Sequence, residues 1–92
     1  MPDRTVKVPK TVRELLRNLH PEMKRKVRAA FNDILKDPAC GKPLKRELKG
    51  YWSLRISRYW MIYRPDKAGA EIAAIGPRKT IYEEMARARR KS

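Results

Sequence analysis

The run YWSLRISRYWMIYRPD, from Tyr51 to Asp66, constrains the fold more than any other part of the sequence. Apolar and polar residues alternate along it on either side of one short polar interruption, which predicts two β-strands joined by a tight turn. Because successive side chains of a strand point to opposite faces, one face of this pair carries Ser53, Arg55 and Trp60. The core of a small sheet does not need a cation and a large aromatic side chain, so this face is a candidate functional surface.

Two amphipathic helices are predicted before the alternating run. Apolar residues recur at helical spacing in TVRELLRNL and again in PEMKRKVRAAFNDILK, with an HP break between them. The first helix is expected from about Thr11 to Leu19, because Thr11 and Glu14 have the spacing of a capping box. The second is expected from about Pro21 to Lys36. The two helices should form an antiparallel hairpin that covers one face of the sheet.

The remaining segments complete an α+β fold. RTVKV predicts a short first strand from Arg4 to Val8, and AEIAAI predicts another strand after the alternating run. Thr80 and Glu83 repeat the capping-box spacing, which predicts a last helix from about Lys79 to Arg90. The predicted fold is an N-terminal strand and an αα-hairpin packed on a small, mainly antiparallel sheet of about four strands, with a C-terminal helix. Residues 1–92 are expected to form a single domain, and the second face of the sheet is expected to stay partly open.

Positive charge indicates the class of partner. Lys and Arg total 24 against 10 Asp and Glu, for a formal net charge of +14. A compact domain with this excess attracts polyanions, so nucleic acid is the first candidate partner and an acidic protein is the second. No segment combines a basic face with a broad apolar face, so a membrane is not an expected partner.

The reactive side chains are few. One cysteine, Cys40, fits a reducing compartment and predicts a cytoplasmic protein, and no apolar run is long enough to span a membrane. A two-histidine ribonuclease is excluded because His20 is the single histidine. The carboxylates are scattered, so neither a metal nor another cofactor is expected. Arginine, lysine and tyrosine remain as the side chains that can act on a phosphodiester.

The sequence resembles the RelE/ParE toxin superfamily of type II toxin–antitoxin pairs in two stretches, GKPLKRELKGYWSLRISRYWMIYRPD and IAAIGPRKTIYEEMARARR. The shared pattern is a Leu-Lys-Gly before the strand pair, a Leu-Arg-aliphatic core, an Ile-Tyr in the next strand, a Gly-x-Arg turn and a tyrosine in the last helix. The resemblance implies a toxin held by a cognate antitoxin. For the RelE branch, which is favoured, it implies a ribosome-dependent mRNA endoribonuclease that inhibits translation. In that branch the 2′-hydroxyl of the substrate attacks the adjacent phosphate without a metal.

The resemblance also implies site residues. Its catalytic positions are retained as Arg55, Arg78 and Tyr82, whereas Ser53 and Trp60 stand where well-studied members carry a lysine and an arginine. Trp60 is expected either to stack on a base of the RNA or to pack against the C-terminal helix. Candidate RNA-binding residues are Lys42, Lys45, Arg46, Lys49, Arg58 and Trp60.

Two other functions stay open within the same superfamily. A ParE-like toxin would inhibit DNA gyrase by binding it, and the missing cations at Ser53 and Trp60 favour this alternative. A catalytically inactive member would act with its antitoxin in repression, reaching operator DNA only through the antitoxin.

Overall fold

The chain folds into one mixed sheet with helices on both of its faces. The computed structural model describes residues 5–91, apart from the side chains of residues 47, 84, 86 and 88–91. The strands are β1 (Thr5–Lys7), β2 (Lys42–Pro43), β3 (Trp52–Ile56), β4 (Tyr59–Asp66) and β5 (Gly69–Gly76). The helices are α1 (Lys10–Arg17), α2 (Pro21–Lys36) and α3 (Arg78–Lys91), with a 3₁₀ turn at Arg46–Leu48.

The strand order across the sheet is β1-β5-β4-β3-β2. β1 pairs with β5 in parallel, and the other neighbouring strands are antiparallel. This confirms the predicted α+β fold with its mainly antiparallel sheet. The described sheet has five strands rather than about four, because β2 forms within the basic connector. A two-residue strand containing proline has no alternation that a sequence pattern can detect.

The larger core lies between the sheet and the helices α1 and α2. It forms because the apolar stripes of both helices face the same side of the strands. Its buried residues are Val12, Val27, Ala30, Ile34, Ile56, Met61, Tyr63, Ala70, Ile72 and Ile75. α1 and α2 therefore cover one face of the sheet, as the sequence predicts.

The second face of the sheet is less open than the alternating pattern predicts. The helix α3 and the segment around the 3₁₀ turn lie on it and enclose a smaller core. Ile62, Ala74, Ile81 and Met85 are buried there, and Ser53 is only 3% exposed. Ser53 is therefore not part of an open polar face, because a small side chain fits beneath the covering elements.

Both predicted capping boxes are wrong. α1 begins at Lys10 after an N-cap at Pro9 that makes no side-chain capping bond, so Thr11 lies inside the helix. α3 begins at Arg78, which likewise places Thr80 inside its first turn. A proline precedes each helix, and its fixed φ angle suits helix entry without a side-chain cap.

The helix α2 has the predicted bounds, and His20 is its N-cap. The Nδ1 atom of His20 accepts a hydrogen bond from the backbone N–H of Glu22 at 3.2 Å. The histidine is therefore a structural residue in this fold.

The predicted strand start at Arg4 lies outside the described residues. Within the described chain, no helix combines the length and apolar character needed to cross a membrane.

Tyr63 joins the larger core to the loop that leads into β2. Its side chain is fully buried, its hydroxyl donates to the carbonyl oxygen of Pro38 at 2.7 Å, and it accepts from the N–H of Gly41 at 3.1 Å. Burial raises the pKa of Tyr63 from 10.0 to about 12. The neutral phenol therefore fixes the loop at two backbone positions.

Replacing Tyr63 with phenylalanine is expected to lower the free energy of unfolding by about 1–3 kcal/mol, because two half-buried backbone groups, the carbonyl of Pro38 and the N–H of Gly41, lose their partner. The contribution of the wild-type phenol is full below pH 10.0 and is lost as the pH rises towards about 12, because the raised pKa favours the neutral form in the folded state. Urea unfolding of both proteins at pH 8 and pH 11 measures this difference. A stability gap that grows with pH would contradict the assignment.

Candidate functional site

A row of side chains crosses the sheet on the face that carries α3. Arg55 on β3 pairs with Trp60 on β4, and Trp60 pairs with Gly76 at the end of β5. Arg78 follows Gly76 after a single proline and opens α3. Because cross-strand partners point to the same face, Arg55 and Trp60 are neighbours. The chain then turns back and places Arg78 over Trp60.

Arg78 connects the two aromatic side chains of the row. Its guanidinium carbon lies 5.7 Å from the ring centroid of Trp60 and 5.8 Å from that of Tyr82. Both distances are within the range of cation–π attraction, which orients an arginine without neutralising its charge. Arg78 remains exposed, so its N–H groups stay accessible to an anion.

Arg55 is held by its own turn. It is exposed, and its Nε donates to the carbonyl oxygen of Ser57 at 3.1 Å. Ser57 has a φ angle of +58°, the left-handed conformation that the tight turn between β3 and β4 uses. This hydrogen bond uses one N–H of the guanidinium and leaves the others for a ligand.

Trp60 has a structural role as well as a place in the candidate site. It is half-buried and packs against the smaller core, as Tyr51 and Tyr82 also do. Of the two expectations for Trp60, the structure therefore contains the packing near the C-terminal helix. The face of its ring is shared with Arg78, so a base could stack there only beside or in place of that guanidinium.

The basic residues of the connector lie at the edge of this face. Lys42 on β2 pairs with Ser53 on β3. Lys45, Arg46 and Lys49 are exposed in and around the 3₁₀ turn, which packs against α3. The φ angle of Arg46 is +58°, a left-handed conformation that is uncommon for residues other than glycine.

Arg58 is not brought into the row. It lies in the turn between β3 and β4 and lines a separate groove of about 370 Å³ with His20 and Lys26. The structure therefore does not bring this candidate RNA-binding residue together with Arg55 and Arg78. The turn conformation, which the sequence does not specify, directs this side chain towards α2.

Gly76 shapes the candidate site, although it is not among the residues predicted from the sequence to form it. A Cβ atom at this position would lie 3.0 Å from the Cγ2 atom of Ile81. The absence of a side chain therefore allows the first turn of α3 to approach the end of β5 and brings Arg78 over Trp60. The available signal was a glycine directly between an apolar strand and a Pro-Arg pair.

The charges of the row have no carboxylate partners within the described part of the chain. The ion pairs seen between described side chains join Lys7 to Asp66 and Arg64 to Glu71 instead. Arg55 and Arg78 are thus exposed cations in a row that also contains the aromatic side chains of Trp60 and Tyr82. Such an arrangement suits a phosphate group with an attached base or sugar.

Comparisons with known proteins agree with this architecture. Residues 5–82 match the family described as "ParE toxin of type II toxin-antitoxin system, parDE". The chain is 41% identical over 64 residues to Toxin RelG of Mycobacterium tuberculosis. The aligned region covers 67% of this chain and 74% of that protein.

Solved structures show the same fold. A chain of the toxin–antitoxin complex RelBE2 from Mycobacterium tuberculosis superposes with a TM-score of 0.70 and 34% identity, over 82% of this chain and 98% of that one. A mutant of the E. coli toxin RelE, in complex with an antitoxin RelBc peptide, superposes with a TM-score of 0.68 and 16% identity over 89% and 93% of the two chains. The chain belongs to the RelE/ParE superfamily of type II toxin–antitoxin toxins, within the family of ParE toxins.

Proposed function

We propose that this toxin is a ribosome-dependent mRNA endoribonuclease that inhibits translation. The observation that carries the proposal is the placement of Arg78 over Trp60 and Tyr82, in the same row as Arg55. Two accessible guanidiniums and a phenol are a minimal set for transesterification at a phosphate. Membership of the superfamily supports the same reaction class.

The reaction needs a nucleophile, charge stabilisation and proton transfer. The 2′-hydroxyl oxygen of the substrate attacks the adjacent phosphorus, and the bond from phosphorus to the 5′ oxygen breaks. Arg78 and Arg55 donate hydrogen bonds to the non-bridging oxygens, which gain negative charge in the transition state. Tyr82 relays the proton between the 2′-hydroxyl and the leaving 5′ oxygen. The products are a 2′,3′-cyclic phosphate and a 5′-hydroxyl.

Dependence on the ribosome follows from what this site lacks. Arginine is a poor general base, because its guanidinium stays protonated at neutral pH. With few groups to activate the nucleophile, the rate depends on holding the 2′-hydroxyl in line with the leaving oxygen. A ribosome that fixes the mRNA codon supplies this alignment, whereas free RNA samples it rarely.

The test is to add purified toxin to ribosomes translating a defined mRNA and to map new 5′ ends by primer extension. New ends within codons, absent when the same mRNA is free, are the expected result. Intact mRNA on translating ribosomes would contradict the proposal. In parallel, DNA supercoiling by purified gyrase should be unaffected.

Gyrase inhibition is the second candidate, and two observations favour it. Ser53 is buried and Trp60 is aromatic, so neither position adds a cation to the site, and the matching family is that of ParE toxins. Loss of supercoiling activity without mRNA cleavage would select this candidate. A toxin inactive in both assays would instead act only with its antitoxin in repression.

We also infer where a cognate antitoxin binds. A groove of about 350 Å³ runs between α1 and α2, and its lining combines apolar and basic side chains. The groove is lined by Arg13, Leu16, Arg17, Lys24, Val27, Arg28 and Phe31. An acidic amphipathic segment matches this surface, with its apolar side on the floor and its carboxylates at the rim. The related toxin structures, which are complexes with antitoxins, support a partner of this kind.

Reversing two rim charges, Arg17→Glu with Arg28→Glu, is expected to weaken antitoxin binding at least about tenfold, because like charges then meet across the interface. Titration of the cognate antitoxin into each toxin variant, followed by calorimetry, measures the change. The control is Lys10→Glu with Lys67→Glu, which alters net charge equally at exposed positions outside the groove. Equal weakening in both variants would indicate a general charge effect and contradict the assigned groove.

A further inference from the structure

The row of site residues continues onto β2, where Lys42 lies opposite Ser53. Ser53 in turn pairs with Ile62, a residue of the smaller core beneath α3. Lys42 is therefore on the same face of the sheet as Arg55 and Trp60. A diagonal neighbour in an antiparallel pair is roughly 7–8 Å away, so the four-carbon stem of Lys42 can bring its ammonium beside the Arg55 guanidinium.

The position of Lys42 is built into the fold. Gly41 precedes it, and a Cβ atom there would collide with the carbonyl oxygen of Ser53 and lie 2.9 Å from the Tyr63 hydroxyl. The N–H of Gly41 donates to that hydroxyl at 3.1 Å, and the same hydroxyl donates to Pro38 at 2.7 Å. The backbone on the N-terminal side of Lys42 is thus anchored to the buried Tyr63. An anchored lysine loses less freedom on binding than one on a free loop.

The charge around Lys42 also suits anion binding. Lys42 is exposed, and the ion pairs formed among the described side chains involve other residues. On the strand beside it, Ser53 is uncharged and buried. The ammonium of Lys42 is therefore an accessible cation on the strand at this end of the row, with Arg78 at the other end.

We propose that Lys42 is a third phosphate-binding cation of the site. It acts from β2, directly opposite Ser53, which supplies no charge. Lys42 contacts a non-bridging oxygen of the scissile phosphate or of the phosphate next to it, and Tyr63 and Gly41 position it. This inference rests on the proposed function for its catalytic part. The contact between Lys42 and a phosphate of single-stranded RNA is expected whether or not the RNA is cleaved.

The first measurement is RNA binding without cleavage. A short RNA with a 2′-deoxy residue at the cleavage position is titrated with toxin at several salt concentrations. Lys42→Gln is expected to reduce the slope of log K against log salt by about 0.7, the amount for one lost phosphate contact on a single strand. Lys67→Gln, the same charge change in the turn between β4 and β5, should leave the slope as in the wild type. An unchanged slope in Lys42→Gln would overturn the proposal.

The second measurement is the single-turnover cleavage rate on translating ribosomes. Lys42→Gln is expected to lower it by about 10- to 30-fold, the effect of one charge-assisted hydrogen bond, and Lys42→Arg to retain most of the rate. A rate equal to that of the wild type, or an equal loss in Lys67→Gln, would overturn the catalytic part. Absence of cleavage by the wild type would reject the proposed function, and the salt slope would then decide the role of Lys42 by itself.

Discussion

Replacing Arg78 with alanine is expected to lower the rate of mRNA cleavage by about 100- to 1,000-fold, the effect of removing one preorganised donor from a developing oxyanion. Arg78 is positioned for this role because its guanidinium contacts the rings of both Trp60 and Tyr82. Single-turnover cleavage on ribosomes stalled at a defined codon is the measurement. Arg78→Lys should keep part of the activity, because it keeps the charge and loses the bidentate geometry.

The loss should not come from unfolding. An exposed cation–π contact stabilises by about 0.5–1 kcal/mol, so Arg78→Ala should unfold at nearly the same urea concentration as the wild type. Arg87→Ala removes another exposed arginine from α3 and serves as the matched control. Equal cleavage by wild type and Arg78→Ala, or equal losses in Arg78→Ala and Arg87→Ala, would reject the assigned role.

The periodic parts of the fold were predictable because the apolar or polar character of each residue there indicates whether its side chain is buried. Alternation placed β3 and β4 and put Arg55 and Trp60 on one face, as the structure confirms. The stripe of α2 placed that helix with its observed bounds. In each case, burial follows from the spacing of apolar residues along one segment.

The missed features depend on contacts between distant segments. β2 exists because Gly41 can approach β3 closely and the buried Tyr63 hydroxyl holds the loop. Ser53 is buried because α3 and the connector cover its face, which the alternation of β3 alone cannot reveal. The candidate site shows the same division, since the residue types were predictable but the stacking of Arg78 on two rings was not.

The second large effect concerns the attachment of α3. Ile81→Ala is expected to lower the free energy of unfolding by about 2–5 kcal/mol, because a fully buried side chain leaves a cavity. Ile81 packs against Ile62 and Ala74 in the smaller core and also lies against Gly76. The helix that carries Arg78 and Tyr82 depends on this small core, so its amide protons should exchange faster than those of the sheet.

Ile34→Ala distinguishes local from global loosening, because the same atoms are removed from the larger core. Both variants should lose stability by similar amounts, but only Ile81→Ala should release α3 selectively and lower cleavage under conditions where the sheet remains folded. Hydrogen exchange read by mass spectrometry, together with the cleavage rate at low temperature, provides the comparison. If Ile81→Ala speeds exchange in α2 as much as in α3, the smaller core is not a separate unit. The placement of Arg78 would then depend on the whole fold rather than on the contact between α3 and the sheet.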